Sequence, residues 1–149
     1  MSFYREVIDA FNNNQVHFLV FGGFAVNFYG YNRYTADLDL WIDPSPSNLQ
    51  NVGLAIFQLG FEKSDNLNDF LSQKTIMLRI VEGVEKVDLL LKINIPKSFA
   101  ECSEQAVPSE SIFGKVHFIH YDDLIDEKIR SKRPKDLIDV DQLRTLKKD

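Results

Sequence analysis

The sequence predicts an α/β domain of the α+β kind: a mixed β-sheet with helices packed on one face and a helical C-terminal end. Three observations carry this. Residues 37–42, Asp-Leu-Asp-Leu-Trp-Ile, alternate polar and apolar, which is a strand with two unlike faces. Apolar residues recur at helical spacing near the N-terminus and again over Leu49, Val52, Ile56 and Leu59. Two helical patterns close the chain on either side of Arg133-Pro134, because the residue before proline disfavours helix.

In chain order, Phe3, Val7, Ile8 and Phe11 define an amphipathic helix over 3–13 that the Asn12-Asn13-Asn14 run ends. Residues 16–21 are a short buried strand. Gly22-Gly23 follows, then a helix over 24–29 that Gly30 stops, a loop over 31–35 and a strand over 36–42. Ser45 is the expected N-cap of the next helix, with Pro46 at its first position and Gly60 as its stop. Residues 61–74 read as a short strand and a short helix. Residues 75–81 and 86–93 form a hairpin across Glu82-Gly83. Residues 96–105 are weakly helical, 115–120 a strand, and 121–132 and 134–146 helices. The 149 residues suit one domain, 1–149, with a core over about 15–120 and a helical part over about 121–147.

The totals exclude several classes. At 44% hydrophobic and 26% charged the chain is an ordinary globular domain, one that buries about 70% of its unfolded surface. A formal charge of −5 argues against a general nucleic-acid coat but leaves a local basic site open. Cys102, the only cysteine, forms no disulfide framework or thiolate zinc site and reads as a structural thiol. No apolar run is long enough for a membrane span, and the N-terminus lacks a signal-peptide pattern. A cytoplasmic location is the default expectation.

The candidate chemistry gathers at three carboxylates. Asp37 and Asp39 share one strand face with Cα atoms ~6.5 Å apart, while Leu38, Leu40 and Ile42 point into the core. Asp88 interrupts Val87-Asp88-Leu89-Leu90-Leu91, where an unpaired carboxylate is costly to bury. On a neighbouring strand it would complete a cluster suited to Mg2+ or Mn2+. Equally, Asp37 and Asp39 face solvent and Asp88 pairs with a lysine. Gly22-Gly23 lies 14 residues before Asp37, an interval that fits one helix and one loop. Glycine lets backbone amides approach a phosphate, and the following helix offers N–H groups; tight strand–helix packing is the alternative. In the loop, Arg33 is a phosphate clamp or a solvated arginine, and Thr35 orders the loop or is a plain turn residue. Lys128, Arg130, Lys132, Arg133 and Lys135 form a basic run. The run is either a solvated face or, through Lys128 and Lys135, a counterweight to a triphosphate. Tyr29, Tyr31 and Tyr34 stack on a base or pack. His17, His117 and His120 have no ligand spacing and receive no role.

Gly22-Gly23, Asp37-Leu38-Asp39 and the distant Asp88 resemble the signature of the nucleotidyltransferase superfamily typified by DNA polymerase β. The fuller string GGFAVNFYGYNRYTADLDLWI is similar to minimal bacterial members, the type IV abortive-infection toxins and related small nucleotidyltransferases of toxin–antitoxin systems. Lincosamide nucleotidyltransferases share a similar start. The segment from Lys128 to Asp139 resembles the "K…R…KD…D" ending of such proteins, so the likeness covers roughly residues 15–146. The resemblance implies a nucleotidyltransferase-like fold. It implies that Asp37 and Asp39 hold the metal ions carrying a nucleoside triphosphate, that Asp88 helps bind the catalytic metal near the acceptor hydroxyl, and that Gly22 and Gly23 contact the triphosphate. It also implies a cognate antitoxin or other partner protein. Many members carry Gly-Ser where this chain has Gly-Gly.

The leading expectation is therefore a metal-dependent transferase. It would move a nucleoside monophosphate from a triphosphate to a hydroxyl of an RNA end, a protein or a small molecule. The alternative is a catalytically silent protein of the same fold that acts by binding. A nucleotide-sugar glycosyltransferase, which also uses Asp-x-Asp, needs a nucleotide-binding half before the motif, and only 36 residues precede Asp37.

Overall fold

A computed structural model describes residues 2–111 and 113–148, so the ends of the expected 1–149 domain lie outside the described residues. The order is α1 (Phe3–Asn13), β1 (Phe18–Phe21), α2 (Gly22–Phe28), β2 (Asp37–Ile42), α3 (Pro46–Gln58), α4 (Asp65–Leu71), β3 (Met77–Glu82), β4 (Glu85–Leu90), α5 (Phe99–Glu104), β5 (Val107–Ser111), β6 (Gly114–Phe118), α6 (Tyr121–Ser131) and α7 (Pro134–Lys148). The six strands form one mixed sheet in the order β3-β4-β2-β1-β6-β5. β1 runs antiparallel to β2 and parallel to β6, β2 runs parallel to β4, and β3/β4 and β5/β6 are hairpins. The expected mixed sheet with C-terminal helices is the observed architecture.

β2 sits near the middle of the sheet, and its alternation decides which face becomes core. Leu38, Leu40 and Ile42 are buried completely or nearly so, each contributing about 2 kcal/mol relative to an exposed side chain. On that face Ile8 of α1 lies with Val20 and Leu38, Phe11 meets Phe18 edge-on at 5.7 Å, and α3 packs on α1. Those are the helices expected on one face. The other face carries Asp37, Asp39 and Trp41, and there Trp41 meets Phe99 of α5 at 5.4 Å. α6 and α7 add cover on this side, bringing Lys128, Arg133, Lys135 and Asp139 to the cleft while Leu124, Ile125, Val140 and Leu143 join the buried core.

Several local expectations change. β1 begins at Phe18 rather than residue 16, because the Val16 N–H donates to the Phe11 carbonyl at 2.9 Å and the His17 N–H to Asn48 Oδ1 at 2.8 Å instead of to the sheet. α2 begins at Gly22, so the glycines open the helix instead of preceding it. Residues 61–74 contain α4 and no strand. Ser45 caps α3 only by position: its side chain accepts no helix N–H, and its own N–H donates to Asp43 Oδ1 at 3.0 Å. Gly60 ends the α3 segment in a left-handed φ of 89°, as a C-terminal glycine should. β5 has no apolar alternation and contains Pro108, tolerable because β5 is an edge strand. His120 has a structural use, its Nδ1 accepting the Asp122 N–H at 3.1 Å to cap α6.

Candidate active site

Strand register brings the acids together. In the parallel ladder Asp39 faces Asp88, and in the adjoining hairpin Asp88 faces Arg79, so the three form one row across β2, β4 and β3. Asp37, two residues from Asp39, points to the same side. Together with Gly22, Gly23, Arg33, Thr35, Lys128 and Lys135 they line a cleft of about 740 Å³. These nine candidate residues thus lie on one depression, though with differing freedom to act.

The two glycines are required by their neighbours. Gly22 has a φ of 66°, and a Cβ there would overlap Asp39 Oδ2 and lie 3.0 Å from its Cγ. A Cβ at Gly23 would overlap Thr35 Oγ1 and lie 2.7 Å from Thr35 Cβ. Thr35 therefore occupies the space that a serine at position 23 would need, which accounts physically for Gly-Gly in place of Gly-Ser. Thr35 acts here by packing against the start of α2.

The remaining candidates are held in a chain of ion pairs. Arg33 donates from Nε and Nη2 to the two oxygens of Asp139, each at 2.7 Å, and from Nη1 to the Tyr34 carbonyl at 2.9 Å. Lys128 Nζ lies 2.9 Å from Asp139 and 3.3 Å from Asp136, with only 3% of its side chain exposed. Arg133 holds Asp136 at 2.7 Å. Burial pushes Asp139 and Asp136 up, but hydrogen bonds from Arg33, Arg133 and Lys128 outweigh it and leave both below the usual carboxylate range. The solvated-face reading of the basic run fails for Lys128, which is interior. Lys135 is exposed beside the cleft. Of the tyrosines, Tyr29 packs, its hydroxyl donating to the Ile119 carbonyl at 2.6 Å, Tyr31 lines the cleft and Tyr34 is exposed. Cys102 is buried and lies off the cleft; burial, with Asp123 nearby, pushes its thiol up to about 12.

Asp39 is the most perturbed acid. Burial, then the charges of Asp88 and Asp37, push it up to about 7 against the pull of Lys128 and Lys135. Asp37 Oδ1 is buried without a hydrogen-bond partner. Hard carboxylate oxygens that repel one another, one of them orphaned, fit a divalent cation at Asp37 and Asp39. The expected third ligand is differently engaged. Asp88 receives Arg79 Nε at 2.7 Å and Nη2 at 2.9 Å, and the same Nη2 reaches Asp37 Oδ2 at 3.2 Å. Among the described residues no group of three His, Cys, Asp or Glu is gathered as a metal site. Asp88 has a cationic partner, as the alternative reading held, but it is an arginine rather than a lysine.

Arg79 was not singled out in the sequence, and Asp136 and Asp139 entered only as the acids of the "K…R…KD…D" ending, without a role. Arg79 had a signal: a hairpin turning over Gly83-Val84 pairs Glu82 with Glu85, and that register places residue 79 opposite residue 88. Asp139 closed the C-terminal motif, but nothing local pointed to Arg33, its partner 106 residues away.

The sheet order and the glycine-opened helix give a nucleotidyltransferase-like α+β fold. Three solved structures share it. A proposed nucleotidyltransferase from Thermotoga maritima aligns over 97% of this chain and 88% of its own, with a TM-score of 0.55 and 14% identity. The antibiotic-resistance factor ANT(2″)-Ia, crystallised with adenylyl-2″-tobramycin, aligns over 97% and 86%, with a TM-score of 0.56 and 15% identity. Its solution structure aligns over 97% and 81%, with a TM-score of 0.54 and 16% identity. No protein-family model and no curated protein matches the sequence.

Proposed function

We propose that this chain is a divalent-metal-dependent nucleotidyltransferase. The observation that carries the reading is the closeness of Gly22 to Asp39: the turn that starts α2 lies against the Asp39 carboxylate of β2. Amides suited to phosphate thus sit beside acids suited to a cation.

The acceptor hydroxyl oxygen bonds to the α-phosphorus of a nucleoside triphosphate, the bond to the β-phosphate oxygen breaks, and pyrophosphate leaves. Asp37 and Asp39 hold Mg2+ or Mn2+, which when bound neutralises phosphate charge and orients the leaving group. Gly22 and Gly23 offer backbone amides to the triphosphate. Lys135, exposed beside Asp39, adds positive charge to the same cleft. Asp88 stands next to Asp39 and takes the hydroxyl proton once Arg79 leaves it. Arg33 and Lys128 act at one remove: both are bound to Asp139 and fix the loop over 31–35 against α6 and α7. The acceptor is a hydroxyl of an RNA, a protein or a small molecule, and adenylyl-2″-tobramycin on ANT(2″)-Ia is an instance of the last.

The test is transfer of label from each of the four α-labelled triphosphates with magnesium or manganese. Wild-type protein transfers label and Asp37→Asn and Asp39→Asn do not; equal transfer by all three overturns the reading. One observation favours a second reading, a silent binding module of this fold: Arg79 lies across Asp37 and Asp88, where a catalytic ion would need ligands. Failure of the wild-type protein to bind any triphosphate at millimolar magnesium supports that module instead.

A further inference from the structure

We propose that Arg79 is a cationic latch, a side chain that stands in for a divalent ion between Asp37 and Asp88 and must leave before the ion is fully bound. This rests on the metal-site reading above and adds a regulating residue to it.

The guanidinium makes three contacts of 2.7–3.2 Å to two carboxylates on separate strands. A planar fork matches one carboxylate in two-point fashion and spares its last donor for a neighbour. Two acids brought together without a cation repel one another, and Arg79 supplies the missing charge. Its placement suits release: β3 is an edge strand, and 42% of the Arg79 side chain is exposed while that of Asp88 is 7% exposed. The acid is fixed by burial and the base is not. Because the arginine is the exposed partner on an edge strand, it can swing out to solvent when a divalent ion enters, without uncovering the buried acid. Once displaced, Arg79 remains at the cleft mouth as a donor for an incoming phosphate. It also explains why the three acids share a face without forming a ligand set.

The test uses the full chain without nucleotide. Mn2+ binding is followed by calorimetry and by the fall in free-Mn2+ paramagnetic resonance, for wild type, Arg79→Gln and Arg79→Lys. Loss of a charge-assisted two-point contact should tighten Mn2+ binding in Arg79→Gln about tenfold or more, with Arg79→Lys between it and wild type. In chelator Arg79→Gln should melt lower than wild type, and Mn2+ should restore it. Equal Mn2+ affinity in all three proteins, or weaker binding in Arg79→Gln, overturns the latch. Lack of Mn2+ binding in all three overturns it as well. Tight equal binding that Asp39→Asn abolishes would remove the latch while leaving the proposed metal site standing.

Discussion

Arg33 and Asp139, 106 positions apart, are joined by two hydrogen bonds of 2.7 Å, and Asp139 is 1% exposed. This pair pins the loop before β2 to the last helix. Through Lys128 it continues to Asp136 and Arg133. The C-terminal helices are thereby tied to the cleft by charge, in addition to the apolar packing of Leu124, Ile125, Val140 and Leu143 in the core.

Asp139→Asn should be costly. It leaves Lys128 and Arg33 with weakened or absent counter-charges in an interior site, and breaking such a pair costs about 3–5 kcal/mol. The lower end is expected, because Asp136 still faces Lys128 at 3.3 Å. A urea unfolding series measures it. A loss well under 1 kcal/mol would mean the network is not structural.

The network and Asp39 impose opposite pH trends. Asp136 and Asp139 titrate below 3.8 when folded, so their contribution is present above that value and disappears as pH falls through the depressed values. Asp39 is raised from 3.8 to about 7. Between those values the folded state keeps a proton that the unfolded chain has lost, so stability falls as pH rises through the window. Urea midpoints at about pH 5 and about pH 8 without divalent ions read this slope. Asp39→Asn should flatten it, and an unchanged slope in that variant would assign the decline elsewhere.

Gly23→Ala should destabilise by about 1–3 kcal/mol through overpacking against Thr35, since the new Cβ would lie 2.7 Å from Thr35 Cβ. Adding Thr35→Gly empties that space and should recover part of the loss in thermal unfolding. A double variant no more stable than Gly23→Ala would show that the clash lies elsewhere. Gly22→Ala has no such rescue, because its φ of 66° itself disfavours a side chain.

Much of this was legible because it is local. Period two in 37–42 sorted Asp37 and Asp39 from Leu38, Leu40 and Ile42, and the structure keeps that sorting. Gly22-Gly23 marked the turn, although the glycines open α2 rather than precede it. The rest depended on long-range pairing. Nothing near Arg33 announces Asp139, and nothing in a basic run reveals that Lys128 is interior while Lys135 is exposed. β5 escaped because an edge strand needs no apolar alternation and admits Pro108. Arg79 lay within reach of hairpin register, but its pairing with Asp88 across β3 and β4 has no local mark in the residues around it.

The central claim is that Asp37 and Asp39 hold the ion that carries a nucleoside triphosphate into the cleft. Calorimetric titration of each triphosphate with magnesium into wild-type, Asp37→Asn and Asp39→Asn protein addresses it most directly. The account predicts binding by wild type, dependent on the ion, and at least about a tenfold loss in either variant, the equivalent of 1.4 kcal/mol. Ion-independent binding that survives both substitutions would contradict it.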